Sequence, residues 1–344
     1  MATSDSVSIP RLPQVDVLRG AAAVSVVVFH YSGHAARYFP DFPFTFEIGR
    51  FGVELFFAIS GFFIFSTVDK CAGAWEFVLL RFSRLYPAYW ATLLMLLIYD
   101  LMGDSSIWVT GYVANATMLQ SIFGIKDLDI VFWSLAVEMM FYFLMAILMA
   151  TGAIQFPTAV VVIWLGASNI WPMFRDLSFA QSDLVKTMSG VVIYGPFFVI
   201  GMVYYILQKV RWNRPLIPLV LLASCAITEF NTDGFEMGIA AIVVIASMGC
   251  ALQGWLRVFV NPVTLWLGAI SFSLYLVHRN FGYLVLFKLI SLGIDNRLAF
   301  GLVLCGALAL ASALTYWIEI PSLAYLRSVL VKTRRKPSIR VPAE

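Results

Sequence analysis

Apolar residues dominate this chain in long runs, in place of the strict alternation of a half-buried strand. A helix that crosses a hydrocarbon core of about 30 Å needs about 20 mostly apolar residues. Windows of that kind recur at 14–36, 51–68, 85–102, 132–152, 157–173, 191–207, 215–230, 237–254, 262–282 and 298–320. The pattern predicts an all-α fold, a polytopic membrane helix bundle of about ten transmembrane helices. Ile107 to Ile125 is also apolar, but Gly111, Asn115, Thr117 and Gln120 interrupt it. It is expected to lie at the outer face or to re-enter. Residues 1–13 and 327–344 are polar and are expected as tails flanking a membrane domain over 14–326.

Composition narrows the class. Of 344 residues 61% are hydrophobic and 12% are charged, about half the roughly 25% charged residues of an average soluble protein. A soluble globule of this length is excluded. The net charge of +3 makes no case for nucleic acid. Cys71, Cys225, Cys250 and Cys305 are scattered, without a CxxC pair or a Cys/His cluster, so neither a disulfide framework nor a metal site is expected. Residues 1–19 balance Arg11 and Arg19 against Asp5 and Asp16, so the short apolar run Gly20 to Phe29 lacks the basic flank of a signal peptide and cleavage is not expected.

The positions of the basic residues predict orientation. With ten spans and the N-terminus inside, the cytoplasmic pieces hold Arg11, Arg19, Lys70, Arg81, Arg84, Lys209, Arg211, Arg214 and Arg257, and the tail adds Arg327, Lys332, Arg334, Arg335, Lys336 and Arg340. The opposite loop after the seventh span carries Glu229, Asp233 and Glu236 and no basic residue. This bias predicts cytoplasmic termini.

Ionisable groups inside apolar spans are the candidates for chemistry, because each costs at least about 2.5–3.5 kcal/mol to insert. They are Asp16, Arg19 and His30 in span one, Glu54 in span two, Glu138 in span four, His278 and Arg279 in span nine, and Glu319 at the end of span ten. Arg19 and His30 are eleven residues apart, which places them on one helix face about 16 Å apart. Between them Gly20 to Ala23 are small enough for close approach of a helix or a ligand. Arg81 and Arg84, at i and i+3, share a face before span three and serve either as positive-inside anchors or as an anion site. Ser134 and Glu138 share a face of span four, and Glu138 is expected to face the bundle interior. Ser60 lacks the GxSxG surroundings of a nucleophile and, with Gly61, is read as a close-packing pair.

In order along the chain stand Leu18-Arg19-Gly20 followed by His30, Phe51-Gly52-Val53-Glu54 with Ser60-Gly61, Arg81-Phe82-Ser83-Arg84-Leu85-Tyr86-Pro87, Phe132-Trp133-Ser134-Leu135 through Glu138, Ser271 to His278, and Glu319 with Pro321. This series resembles the acyltransferase-3 family of integral-membrane O-acyltransferases over most of the chain. Position 54 is Glu where many relatives have Asp, so a role is carried to it less firmly. Without a soluble extension in the sequence, the stand-alone form is expected, similar to exopolysaccharide acetyltransferases.

The resemblance implies an acyl-CoA donor, usually acetyl-CoA, used from the cytoplasmic side of the inner membrane. The acceptor it implies is a hydroxyl of a cell-surface or exported carbohydrate. On this reading Arg19, Arg81 and Arg84 bind the CoA phosphates and neutral His30 is the general base. Glu138 orients the imidazole, with Glu54 the alternative partner, and Trp133, Ser134 and His278 contact substrate. An acyl-His30 intermediate is equally compatible. A second class stays open, a proton-coupled transporter of a small polar solute or glycan precursor, because intramembrane His and Glu also serve proton relays. The inverted or parallel repeats of many transporters are not found in the sequence.

Overall fold

The computed structural model describes residues 12–39, 42, 44–102, 107–209 and 216–334. The expected tails lie largely outside these residues, as do Arg211 and Arg214. Among the described residues there is no strand. Thirteen α-helices follow in order: α1 Pro13–Tyr38, α2 Gly52–Val68, α3 Ala74–Met102, α4 Val109–Asn115, α5 Trp133–Ala150, α6 Pro157–Ile170, α7 Asp183–Ile193, α8 Gly195–Lys209, α9 Leu216–Thr232, α10 Phe235–Leu252, α11 Pro262–Ser291, α12 Asn296–Leu314 and α13 Ile320–Arg334. The all-α bundle read from the sequence is the fold.

Among the described residues, seven segments are long and apolar enough to cross a membrane: Pro13–Arg37, Glu47–Val68, Ala74–Met102, Ile130–Ala150, Asp183–Lys209, Phe235–Leu252 and Asn296–Val329. The other three expected spans fall on α6, α9 and α11. At 14 and 17 residues and 1.5 Å per residue, α6 and α9 are shorter than a 30 Å core. The 30-residue α11 is long enough but carries Ser271, Ser273, His278, Arg279 and Asn280. The interrupted stretch after α3 forms only the seven-residue α4 and a short 3₁₀ turn, and α4 is about 10 Å long.

Local signals set the ends of the elements. Pro13 starts α1 where a missing N–H costs nothing. Asn261 caps α11 by accepting from Val263 and Thr264 N–H, while Thr264 returns the bond to the Asn261 amide. Between α12 and α13 the chain makes a π-helical turn, Thr315–Glu319.

Two seams of small residues hold the bundle centre. Along α1 and α11, which run in the same direction, a Cβ on Gly20 would lie 2.8 Å from Leu267 Cβ and one on Gly268 only 2.3 Å from the Asp16 carbonyl. Across α2 and α8, a Cβ on Gly61 would sit 2.1 Å from the Phe198 carbonyl and one on Gly201 1.9 Å from the Ala58 carbonyl. Without a hydrophobic drive between helices in lipid, such close approach is what the association rests on. Phe198 then stacks on Phe141 at 4.2 Å and joins α5 to this seam.

Gly201→Ala is expected to cost about 1–3 kcal/mol by overpacking and to lower the unfolding midpoint in detergent. Gly73→Ala, with no atom within 4 Å of its Cβ, should leave the midpoint in place. Equal midpoints for the two variants would contradict the α2–α8 seam.

Candidate active site

The close seam between α1 and α11 brings two imidazoles together. His278 Nε2 and His30 Nδ1 are 3.1 Å apart. The surrounding carbonyls determine where the protons sit. His278 Nδ1 faces the carbonyls of Tyr275 at 2.8 Å and Leu274 at 3.2 Å, both obligate acceptors, so this nitrogen carries the hydrogen. His278 Nε2 is then an acceptor, and His30 Nδ1 must donate to it. That nitrogen also faces the Val26 carbonyl at 3.0 Å, which requires the same tautomer. The lone pair of His30 is therefore on Nε2, and the ring can take a proton there while His278 and Val26 stabilise the resulting imidazolium.

Two tyrosines fasten the pair reciprocally. Tyr31 on α1 donates to the His278 carbonyl at 2.7 Å, and Tyr283 on α11 donates to the His30 carbonyl at 3.1 Å. His278 is fully buried and His30 half-buried, so only His30 has open approach. His34, one turn beyond His30, stacks on Tyr283 at 3.7 Å.

A second polar layer gathers toward the other end of the bundle, eleven residues or about 16 Å back along α1. Arg19 pairs with Asp16 at 3.8 Å and lies within electrostatic reach of Arg84, Glu138 and Glu319. Arg81 donates to Thr67 Oγ1, and its guanidinium lies over the rings of Phe77 and Tyr142 at 5.7 and 5.6 Å. The buried Arg81 Nε has no hydrogen-bond partner. Glu138 accepts from Ser60 Oγ at 2.8 Å and Tyr142 OH at 2.6 Å. Glu319, placed by the π turn, accepts from Ser273 at 3.1 Å, and Ser273 receives Thr315 Oγ1 at 2.9 Å.

These positions correct the expected carboxylate partner of His30. Helix α5 runs away from the histidine end, and Ser134 at its start is already level with Tyr275, to which it bonds at 2.7 Å. Glu138 is one turn farther on and belongs to the arginine layer. Nor does Glu54 reach His30: a Cβ on Gly52 would meet the Ala22 carbonyl at 2.6 Å, so Glu54 sits about two turns short of the imidazole, buried, with Oε2 unpartnered. His278, expected as a substrate contact, is the partner of His30 instead. Trp133 packs between Phe57 and Tyr194 at 6.2 and 5.1 Å. Of the small residues expected to admit a helix or a ligand, Gly20 admits α11. Ser60 is not only a packing residue, since it serves Glu138.

Sequence reasoning passed over Tyr283 and Asp129. Asp129, only 1% exposed, pairs with Arg279 at 3.2 Å and also accepts the Asn280 amide at 3.2 Å, fixing the chain before α5 to the turn of α11 that carries His278. Burial pushes the Asp129 carboxyl above the usual carboxylate range, with Arg279 opposing it. No spacing rule links an aspartate in an irregular segment to an arginine 150 residues later. Among the described residues no group of three or more His, Cys, Asp or Glu side chains fits a metal ion.

Breaking a buried ion pair from one side costs about 3–5 kcal/mol, so Arg279→Met should lower the unfolding midpoint markedly, toward the smaller figure because Arg279 is 25% exposed. The double variant Arg279→Met/Asp129→Asn should recover part of the loss. Additive losses in thermal unfolding would show that the two side chains act independently.

Comparison with known proteins shows what the chain is similar to. Nodulation protein 10 of Rhizobium leguminosarum bv. viciae is 22% identical over 184 residues, which cover 47% of this chain and 49% of that protein. The chain thus spans about half the length of this relative. No solved structure matches it. The model of the acyltransferase-3 family, described as an acyltransferase domain, matches residues 12–316, and the chain belongs to that family.

Proposed function

We propose that this chain is a membrane O-acyltransferase that moves an acetyl group from cytoplasmic acetyl-CoA to a hydroxyl of a cell-surface or exported carbohydrate. In this reading both termini are cytoplasmic, in a bacterial inner membrane. The observation that carries it is the His30–His278 pair, whose tautomers leave a bare Nε2 on the half-open imidazole of the two. A neutral imidazole with one ring nitrogen free to take a proton is the form a general base needs.

The arginine layer supplies the donor end. Guanidinium forks match phosphate oxygens and stay charged, and Arg81 keeps a buried N–H without a partner. With the CoA phosphates against Arg19, Arg81 and Arg84, the thioester arm extends about 16 Å toward His30. His30 Nε2 then takes the hydroxyl proton as the oxygen attacks the thioester carbonyl. The carbon–sulfur bond breaks, and the proton returns to the CoA thiolate. His278 positions the base as the carboxylate does in a Ser-His-Asp triad, with a neutral acceptor in place of a charge. A two-step route through acetyl-His30 uses the same nitrogen. Trp133 and Ser134 are proposed to border the acceptor path, and Glu138 to hold the arginine layer in register.

His30→Ala is expected to lower acetyl transfer about 10²–10⁴-fold, and His278→Ala to lower kcat with less change in KM. Mass spectrometry of surface and exported polysaccharide from cells with and without the gene should show loss of acetyl esters. An unchanged acyl pattern, together with solute movement by purified protein in vesicles lacking any acyl donor, would favour transport instead.

A further inference from the structure

Away from the histidines, a cavity of about 310 Å³ opens where the α6–α7 connection meets the end of α9. Trp171, Arg175, Asp176, Gln181, Lys186 and Asp233 supply the side chains that matter in its lining. It is a built feature. Asn169 Nδ2 donates to Thr228 Oγ1 at 2.7 Å and ties α6 to α9. Ser168 Oγ donates to the Val192 carbonyl at 2.7 Å and ties α6 to α7. Gln181 Nε2 donates to the Arg175 carbonyl at 2.7 Å across the connection, and Ser182 caps α7 through the Val185 amide.

The cavity faces the same end of the bundle as the histidine pair. Arg50, just before α2, pairs with Glu236 at the start of α10, and a Cβ on the neighbouring Gly49 would meet the Ser25 carbonyl of α1 at 2.2 Å. Asp233 and Glu236 belong to one short connection, so the rim of the cavity and the His30 end of α1 lie on one side.

Its chemistry is mixed. Two cations, Arg175 and Lys186, and two carboxylates, Asp176 and Asp233, form no salt bridge with one another among the described residues. Carboxylates that accept from hydroxyls, cations that pair with an acid group and an indole that stacks on a ring together describe a sugar site. Tight apolar or purely anionic ligands are not what it fits.

We propose that this cavity binds an acidic sugar, one carrying a carboxylate, and holds the acceptor glycan at the face where transfer occurs. The proposal rests on the acyl-transfer reading for its biological use but not for its measurement. Arg175 and Lys186 grip the sugar carboxylate, Asp176 and Asp233 accept from its hydroxyls, and Trp171 takes a ring face. None of these residues touches His30 or His278, so the cavity is a holding site for a polymer whose reacting unit lies elsewhere. Two-point attachment of that kind converts the second contact into an intramolecular event with an effective concentration in the millimolar range.

The test is direct binding to the purified full chain in detergent without acyl donor, by titration calorimetry or saturation-transfer NMR. Cellobiuronic acid and cellobiose are the probes, with one sugar skeleton and one carboxylate between them. Cellobiuronic acid is expected to bind at least tenfold tighter than cellobiose. Arg175→Ala/Lys186→Ala should abolish that preference and Trp171→Ala should weaken both sugars, each with an unchanged unfolding midpoint. His30→Ala should bind both sugars as the unmodified chain does. Absence of binding by either probe, binding indifferent to all three substitutions, or displacement by phosphatidylethanolamine in nanodiscs would overturn the proposal. Failure of the transfer reading appears separately, as an unchanged acetyl content of cellular polysaccharide.

Discussion

The imidazole pair inside this bundle depends on how closely α1 and α11 approach. In lipid a side chain with unmet hydrogen-bonding capacity has no water to fall back on, and the seam at Gly20 and Gly268 brings the two backbones within side-chain reach over their whole shared length. Only at that spacing can Tyr31 reach the His278 carbonyl and Tyr283 the His30 carbonyl. Those reciprocal bonds hold the two imidazoles edge to edge. A wider seam would leave both rings with their own-helix carbonyls and no partner.

The polar interior is divided into two layers, and helix direction decides which residue joins which. Arg19 and His30 mark the layers on α1. Helix α11 runs parallel to α1 and therefore contributes Ser273 to the first layer and His278 to the second. Helix α5 runs the opposite way, so Ser134 meets Tyr275 between the layers and Glu138 lands among the arginines. The π turn after α12 shifts the register enough to bring Glu319 onto Ser273; such turns recur at functional sites. The result is an arginine-bearing end and an imidazole end, about 16 Å apart along α1.

Irregular segments complete the arrangement. Asp129 clamps the entry to α5 against Arg279, one residue from His278, so the chain before α5 and the imidazole pair are mechanically linked. The α6–α7 connection, pinned by Ser168, Asn169 and Gln181, frames a polar recess at the same end of the bundle. Both are made of residues whose spacing in sequence carries no periodic signal.

The amino-acid sequence by itself determined the all-helical bundle, the non-spanning stretch after α3, and the identity of nearly every intramembrane charge that matters. Those follow from composition and local periodicity: a run of apolar residues can satisfy its own backbone only as a helix, and an ionisable group within it stands out because lipid penalises it. Partnership was a different matter. That His30 pairs with His278 and not with Glu138, that Ser60 serves a carboxylate, and that Asp129 meets Arg279 depended on which helices are neighbours, in which direction they run and at what height they cross. Hydrophobic runs look alike to one another, so nothing in a single strand of sequence ranks one helix pair over another. Tertiary packing made that choice through backbone contacts at glycines and through carbonyls that dictate where each imidazole keeps its proton.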